Sequence, residues 1–325
     1  MSIRLFTQDK IEPMRQRIVY GDKLLFIGSC FAEEIGGISY GLGFDTLINP
    51  FGVLFNPFSI VAALGRMRDG IPFSASDVVN TPNGYYTTFG HNTKFWYPDP
   101  EQLLHEANRG LEKASAHFNR SKWVFISLGT SWCYRHKATG QIVANCHKLP
   151  GASFHREKLS VGESERLLSD LVRRNPEKHF VLTVSPLRHL SDGLHENQLS
   201  KATLLLAVDE VCRNFDHVNY FPAYEIMMDE LRDYRYYKED MFHPNHTAVQ
   251  YIWETFAKFG LDESVSKPME RVLELKNRLA HKPFYPESAA YQLFMKERDE
   301  FAAQLRHDYP SVRIENLTLR QDNDS

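Results

Sequence analysis

The chain has 325 residues, of which 42% are hydrophobic and 24% carry a charge, an ordinary composition for a globular protein. Its formal net charge of −3, with Lys and Arg scattered along the chain, gives no electrostatic basis for nucleic-acid binding, so no nucleic-acid partner is expected. No apolar run approaches the ~20 residues that a membrane-spanning helix needs, so no membrane partner is expected either.

Two features of the sequence, its N-terminal segment and its cysteines, indicate in which cellular compartment the protein is expected. The segment MSIRLFTQDKIEPMRQR lacks the apolar region of a secretory signal. The four cysteines, at positions 30, 133, 146 and 212, contain no C-x-x-C pair, which favours free thiols over a disulfide framework. A reducing compartment, the cytoplasm, is therefore expected.

Short β-like segments alternate with amphipathic helical segments. The predicted strands are KLLFI (23–27), FDTLI (44–48), WVFISL (123–128), HFVLTV (179–184) and VNYF (218–221). The first, third and fourth are nearly continuous apolar runs, which are typical of strands buried on both faces of a parallel sheet. Helices are predicted at 31–39, 57–68, 100–117, 162–174, 195–213 and 245–259. The alternation predicts a three-layer α/β/α sandwich with a five-stranded parallel sheet, ordered 2-1-3-4-5.

Two insertions and a tail complete the predicted organisation. The segment GYYTTFGHNTKFWY (84–97) predicts an exposed aromatic hairpin around Gly90–Thr93, which would pack as a sheet edge or form a wall for sugar rings. The segment YRHKATGQIVA (134–144) predicts a second hairpin that turns at Thr139–Gly140. Residues 1–262 would form the main domain, and 263–325 a C-terminal helical extension packed on it, with its last residues, RQDNDS, frayed.

Reactive or small side chains follow each predicted strand. In open parallel sheets, ligands bind beyond the carboxyl ends of the strands. The residues found there are, in chain order, Gly28, Ser29, Cys30, Asn49, Gly52, Asn56, Gly129, Thr130, Ser131, Ser185, Arg188, His189, Asp240, His243 and His246. A nucleophile, small residues with free N–H groups and an Asp-x-x-His unit would meet at one edge, which favours a catalytic site over a set of tight turns.

The segments FIGSCFAEEIG, NPFGVLFNP, SLGTSW, SPLRHLSDGLHENQLSKATLLLAV and DMFHPNHTAVQYIWETF occur in this order. Together they resemble the GSCFA-domain family, which is related to the SGNH (GDSL-like) hydrolases, over roughly residues 20–300. The resemblance implies a nucleophile at 28–30, an oxyanion-binding Gly52, and a catalytic pair formed by Asp240 and His243. It also matches Gly129–Ser131 to the Gly-x-Asn segment that follows the third strand in SGNH enzymes. It implies acyl-ester hydrolysis or O-acyl transfer through a covalent acyl-enzyme on an acylated carbohydrate, with no cofactor.

The resemblance leaves two registers for the nucleophile. An ungapped match to Gly-Asp-Ser-Leu places Cys30 on the nucleophilic serine and makes Ser29 a turn residue. A one-residue shift makes Ser29 the nucleophile. We favour Cys30, and we expect its thiol pKa to be lowered by the N-terminus of the following helix and by His243.

The other site residues carry alternatives of their own. The oxyanion would be bound by backbone N–H groups at residue 30 and Gly52 and by a side chain near Ser131, where Thr130 or Asn145 could substitute. Asp240 would orient His243 as general base, or would instead cap the helix that begins near Pro244. Arg188 and His189 would contact the substrate or anchor their own loop.

Competing motifs are weaker. Gly37-Ile-Ser39-Tyr-Gly41 matches G-x-S-x-G, but Ser39 falls at the end of a predicted helix and not directly after a strand. Asp240, His243 and His246 lack a zinc-site spacing, so no metal is expected. Two other functions remain: a non-catalytic carbohydrate-binding pseudoenzyme of the same fold and, less favoured, a metallohydrolase.

Overall fold

The structure is a computed structural model that describes residues 7–317, and its centre is a sheet of five parallel strands. The strands in this range are β1 (Lys23–Gly28), β2 (Asp45–Ile48), β3 (Val78–Asn80), β4 (Tyr86–Thr88), β5 (Trp123–Leu128), β6 (Trp132–His136), β7 (Ile142–Val143), β8 (Phe154–Lys158), β9 (His179–Val184) and β10 (Val218–Tyr220). The central sheet has the order β10-β9-β5-β1-β2, and all of its pairs are parallel. The predicted fold and the strand order 2-1-3-4-5 are confirmed.

Helices cover both faces of this sheet. They are α1 (Cys30–Gly41), α2 (Pro57–Asp69), α3 (Pro100–Arg120), α4 (Val161–Arg173), α5 (Gly193–Asn214), the short α6 (Ala223–Glu225), α7 (His246–Gly260), α8 (Ser266–Ala280) and α9 (Ala289–Asp308). Most of the longer helices begin at a side-chain cap, which satisfies N–H groups that have no partner within the helix; these caps are Ser29, Asn56, Asp99, Ser160, Asn245 and Ser288. Within residues 7–317, no helix combines the length and apolar character needed to cross a bilayer.

Successive residues of β1 enter two different hydrophobic cores. Leu24 and Phe26 pack with α1, α7 and α8, whereas Leu25 and Ile27 pack with α2 to α5. This follows from the strand period of two, which points alternate side chains to opposite faces. Burying each such side chain stabilises the fold by roughly 1.5–3 kcal/mol, so the apolar run at 24–27 fixes β1 between two helical layers.

The C-terminal helices join the first of these cores. Val272 and Leu275 of α8 and Leu305 of α9 are buried in it, as are Ile314 and Leu317 of the 3-10 turn that follows. Between the two helices, Phe284 is 97% exposed. The expected fraying of RQDNDS lies outside the described residues.

The first insertion differs from its predicted form. The hairpin is made by β3 and β4, which pair antiparallel and turn within 81–85 and not at Gly90–Thr93. Asn83-Gly84 provides the turn, because Gly84 adopts a positive φ of 77°. Tyr86 and Tyr97 then form an antiparallel bridge that closes residues 87–96 into a loop. The second insertion pairs β6 with β7 around residues 137–140, and β8 adds to the other edge of β6.

Candidate active site

Ser29 lies at the junction between β1 and α1, where its side chain is fully engaged. It is 1% exposed, and its Oγ lies 2.7 Å from Ser127 Oγ. The same Oγ accepts a hydrogen bond from Phe31 N–H and caps α1, and the Ser29 N–H donates to Ser127 O at 3.0 Å. These contacts show that Ser29 stabilises the turn and that its hydroxyl points into the protein interior.

Cys30 is the first residue of α1 and is half-buried, with a free thiol. The expectation that its pKa is lowered is wrong. Burial raises the pKa of the Cys30 thiol, and the nearby carboxylates of Glu33 and Glu34 raise it further. The hydrogen bond from its own N–H, and the Lys94 ammonium, act in the opposite direction with smaller effect. The thiol is therefore mostly protonated at neutral pH and needs a base to become a nucleophile.

Asp240 and His243 form a hydrogen-bonded pair in the loop before α7. Asp240 Oδ2 lies 2.6 Å from His243 Nδ1, and its Oδ1 accepts the backbone N–H groups of Phe242 and His243. These N–H groups, with the imidazole contact, hold the pKa of Asp240 at about 2. Asn245, and not Asp240, caps α7. Because Asp240 accepts at Nδ1, the neutral imidazole carries its proton there and leaves the Nε2 lone pair available.

Two contacts dock this loop at the carboxyl edge of the sheet. Lys238 Nζ lies 3.3 Å from Glu34 Oε1, which ties the loop to α1, the helix that begins at Cys30. On the other side, Arg188 Nη2 donates to Tyr237 Oη at 2.6 Å, which ties the loop to the end of β9. Arg188 thus anchors the loop that carries His243.

His189 faces the same region. Its Nε2 lies 3.2 Å from the position that a Cβ on Gly129 would occupy, and its ring meets Phe55 edge-on at 5.5 Å. Burial lowers the pKa of His189 to about 4, and Lys201 and His243 are near enough to contribute. His189 is therefore a neutral imidazole at neutral pH. Among the described residues, neither of its ring nitrogens has a hydrogen-bond partner.

The groups expected to bind an oxyanion have other partners in this structure. The Gly52 N–H donates to Asn49 O at 2.7 Å. Ser131 is fully buried, and its Oγ donates to Ser200 Oγ at 3.1 Å. Asn145 accepts the His147 N–H through Oδ1 in a separate loop. No hydrogen bond among the described residues links Asn145 to Gly52 or Cys30.

A buried lysine below the site was not predicted. Lys201 of α5 is 1% exposed, and its Nζ donates to Gly129 O at 2.8 Å and to Ser185 O at 2.7 Å. These carbonyls follow β5 and β9, so the amino group of Lys201 joins the two loops that carry Gly129 and His189. The only signal in the sequence is a lysine that precedes the apolar run ATLLLAV.

The residues of the two competing motifs, the G-x-S-x-G match and the possible metal ligands, do not form a second site. Ser39 lies in the last turns of α1 and is 1% exposed, with its Oγ 3.1 Å from Thr46 Oγ1. His246 is the exposed first residue of α7. Among residues 7–317, no group of three His, Cys, Asp or Glu side chains is arranged to hold a metal ion.

Fold and site together define an α/β/α sandwich protein with a thiol and a His–Asp pair at the carboxyl edge of its parallel sheet. The chain belongs to the GSCFA family, which matches residues 23–256, and residues 272–319 match the GSCFA domain protein, C-terminal domain.

Other comparisons give little beyond the family. No curated protein matches the chain. One solved structure with some likeness is that of a Corynascus thermopiles (Myceliophthora fergusii) carbohydrate esterase family 2 enzyme plus carbohydrate binding domain. It is 19% identical with a TM-score of 0.27, and the match covers 47% of this chain and 38% of that chain. The likeness spans less than half of either chain.

Proposed function

We propose that the chain is an SGNH-like acyl-ester hydrolase or O-acyltransferase that works through a covalent acyl-enzyme. The observation that carries this proposal is the 2.6 Å contact between His243 Nδ1 and Asp240 Oδ2, in a loop docked on the helix that begins at Cys30. A histidine oriented by a carboxylate beside a nucleophile is the arrangement that acyl transfer requires.

Cys30 is the proposed nucleophile. The Ser29 hydroxyl is buried and has two hydrogen-bond partners, whereas the Cys30 thiol is half-buried and free. His243 Nε2 would take the thiol proton as Sγ forms a bond to the ester carbonyl carbon. The raised thiol pKa makes this base essential, because little thiolate is present beforehand.

The remaining steps follow from the same groups. As the tetrahedral intermediate collapses, the C–O bond to the alcohol breaks and His243 returns the proton to the leaving oxygen. This gives a thioester on Cys30 and the free alcohol. Water or a second hydroxyl then gives up its proton to His243 and attacks the thioester, which releases an acid or a new ester and restores the thiol.

The proposed substrate is an acylated carbohydrate. His189, neutral and without a ring hydrogen-bond partner among the described residues, would contact a polar group of such a substrate. In the first insertion, Tyr85 is 44% exposed and its ring stacks on Trp96 at 6.3 Å, which gives an aromatic surface suited to a sugar ring.

One observation favours a second candidate, a carbohydrate-binding pseudoenzyme. Two carboxylates beside Cys30 oppose formation of the thiolate, as would be acceptable in a protein that does no chemistry. The two candidates predict different outcomes with a reactive ester.

The test is to trap the acyl-enzyme. The protein would be mixed with p-nitrophenyl acetate, quenched in acid, digested and mapped by mass spectrometry. We expect an acetyl group on the Cys30 peptide that neutral hydroxylamine removes, as it removes thioesters. A hydroxylamine-resistant acetyl group on Ser29 would reverse the assignment of the nucleophile. Specific sugar binding without any adduct would favour the pseudoenzyme.

A further inference from the structure

The side chain of Asn92, from the first insertion, lies directly against Gly52. A Cβ built on Gly52 would be 2.1 Å from Asn92 Cγ and 2.3 Å from Asn92 Nδ2. The amide therefore fills the space where a side chain at position 52 would be. Gly52 follows β2, the strand beside β1, so this contact brings Asn92 to the edge of the sheet that carries Cys30.

Asn92 is held in one orientation. Its backbone N–H donates to Phe51 O at 3.0 Å, and its Oδ1 accepts the Lys94 N–H at 3.1 Å. The second bond distinguishes the two ends of the amide, because only the oxygen can accept. Nδ2 has no acceptor among residues 7–317 and is not buried, so both of its hydrogens are available to a ligand.

An electrostatic effect also links this loop to the thiol. Lys94, two residues beyond Asn92, is near enough to Cys30 for its ammonium to act on the thiolate. The Gly52 contact and the charge of Lys94 thus both associate the 92–94 segment with the edge of the sheet where Cys30 lies. By contrast, the Ser131 hydroxyl and the Gly52 N–H already have partners within the fold.

We propose that Asn92 is a catalytic residue, whose Nδ2 donates a hydrogen bond to the carbonyl oxygen of the substrate as that oxygen becomes negative. This inference rests on the proposed function. The Cys30 N–H, which contacts its own thiol and has no carbonyl partner within α1, would be the second donor. The loop at residues 87–96 of the first insertion would then complete the site with a side chain.

The test compares three variants for hydrolysis of p-nitrophenyl acetate. Asn92→Asp keeps an acceptor for the Lys94 N–H and nearly the same shape but removes the donor, while Asn92→Ala removes both. We expect each to lower kcat by about 10²–10³-fold with little change in KM, the usual effect of losing one oxyanion donor. Thr93→Ala, an exposed neighbour in the same loop, is the matched control and should stay within about twofold of wild type.

The outcomes separate the inference from the proposed function. If turnover depends on Cys30 but both Asn92 variants retain kcat within about threefold, Asn92 is not a donor and the proposed function stands. If wild type hydrolyses the ester no faster than the buffer does, the proposed function fails and the inference fails with it, whereas equal rates for wild type and Cys30→Ala would contradict only the assignment of the nucleophile. Unchanged thermal unfolding of Asn92→Asp would show that its loss of rate is not a loss of fold.

Discussion

The Oγ atoms of Ser29 and Ser127 lie 2.7 Å apart at the ends of two neighbouring parallel strands. This contact fixes the turn between β1 and α1, because Ser29 also receives the Phe31 N–H and gives its own N–H to Ser127 O. Of the two adjacent side chains in Gly28–Ala32 that could act as nucleophiles, the Ser29 hydroxyl is thus engaged in stabilising the turn. The next residue, Cys30, retains a free thiol at the start of α1.

Substitutions at these two positions should therefore separate activity from stability. Cys30→Ala should abolish turnover of p-nitrophenyl acetate and leave the unfolding midpoint nearly unchanged. Ser29→Ala should keep most of the turnover but lower the free energy of unfolding by about 1–2 kcal/mol, through loss of the helix cap. Urea unfolding and initial rates measure the two effects. Full activity of Cys30→Ala would contradict the assignment of the nucleophile.

Removing His243, the proposed general base, should strongly lower the rate of turnover. His243→Ala should lower kcat by about 10²–10⁴-fold, because a positioned general base typically contributes that much. Asp240→Asn should also lower kcat, since the amide cannot fix the Nδ1–H tautomer as a carboxylate does. His246→Ala, three residues away and exposed at the start of α7, is the control and should be near wild type. A loss of only a few-fold for His243→Ala would reject the mechanism.

The raised pKa of Cys30 predicts how its reactivity depends on pH. Only the thiolate reacts with iodoacetamide, so the rate at Cys30 should rise about tenfold between pH 7 and 8, below its raised pKa, and should still be rising at pH 9. Cys30 should still react before Cys133 and Cys212, whose pKa values burial raises to about 12. Peptide mapping of the modified cysteines gives the rate at each of the three.

A charge change tests the cause of that shift. Glu33→Gln removes a carboxylate that raises the thiol pKa, so Cys30 should react faster at pH 8 in this variant. Glu112→Gln, on the exposed side of α3, should leave the rate unchanged. A rate at Cys30 that is already maximal at pH 7 would mean that the thiolate forms without a base.

Arg188 and Tyr237 should act as one unit. Arg188→Met and Tyr237→Phe each break the 2.6 Å contact that anchors the His243 loop. Each should lower kcat by about tenfold, the effect of roughly 1.4 kcal/mol, with KM nearly unchanged. The double variant should lose little more than either single one, because both changes remove the same contact. A raised KM with unchanged kcat in Arg188→Met would instead identify Arg188 as a substrate contact.

The parts of the fold that local sequence determines were predictable. Apolar runs at 23–27, 123–128 and 179–184 predict buried parallel strands, because only strands covered on both faces are apolar at every position. The Asp240–His243 contact is likewise local, since a spacing of three residues in a turn allows the carboxylate to reach the imidazole.

The other site features depend on contacts between distant segments. Asn92 meets Gly52 only because the first insertion folds back over the end of β2. The Ser131 side chain is turned away by Ser200, a residue on α5. The pKa of Cys30 was predicted with the wrong sign because a helix N-terminus is visible in sequence, whereas the burial of the thiol is not.

Lys201 predicts a dependence of stability on pH. Burial lowers its pKa from 10.5 to about 7 in the folded protein. Below pH 7 both the folded and the unfolded chain hold the proton, so the full cost of the buried charge is present. Between pH 7 and 10.5 the unfolded chain still binds the proton and the folded chain releases it. The free energy of unfolding should therefore rise with pH in this window.

The measurement is best confined to pH 7.0–8.5. Above pH 9 the cysteines with raised pKa values, Cys133 and Cys212, favour the unfolded state and oppose the rise. Over this interval one proton can contribute at most about 2 kcal/mol, which urea unfolding resolves. Lys201→Met removes the titrating group, and its unfolding free energy should be correspondingly flatter, although lower overall because the Gly129 and Ser185 carbonyls lose their donor. Equal slopes for the two proteins would mean that Lys201 keeps its proton throughout, held as an ammonium by these two carbonyls.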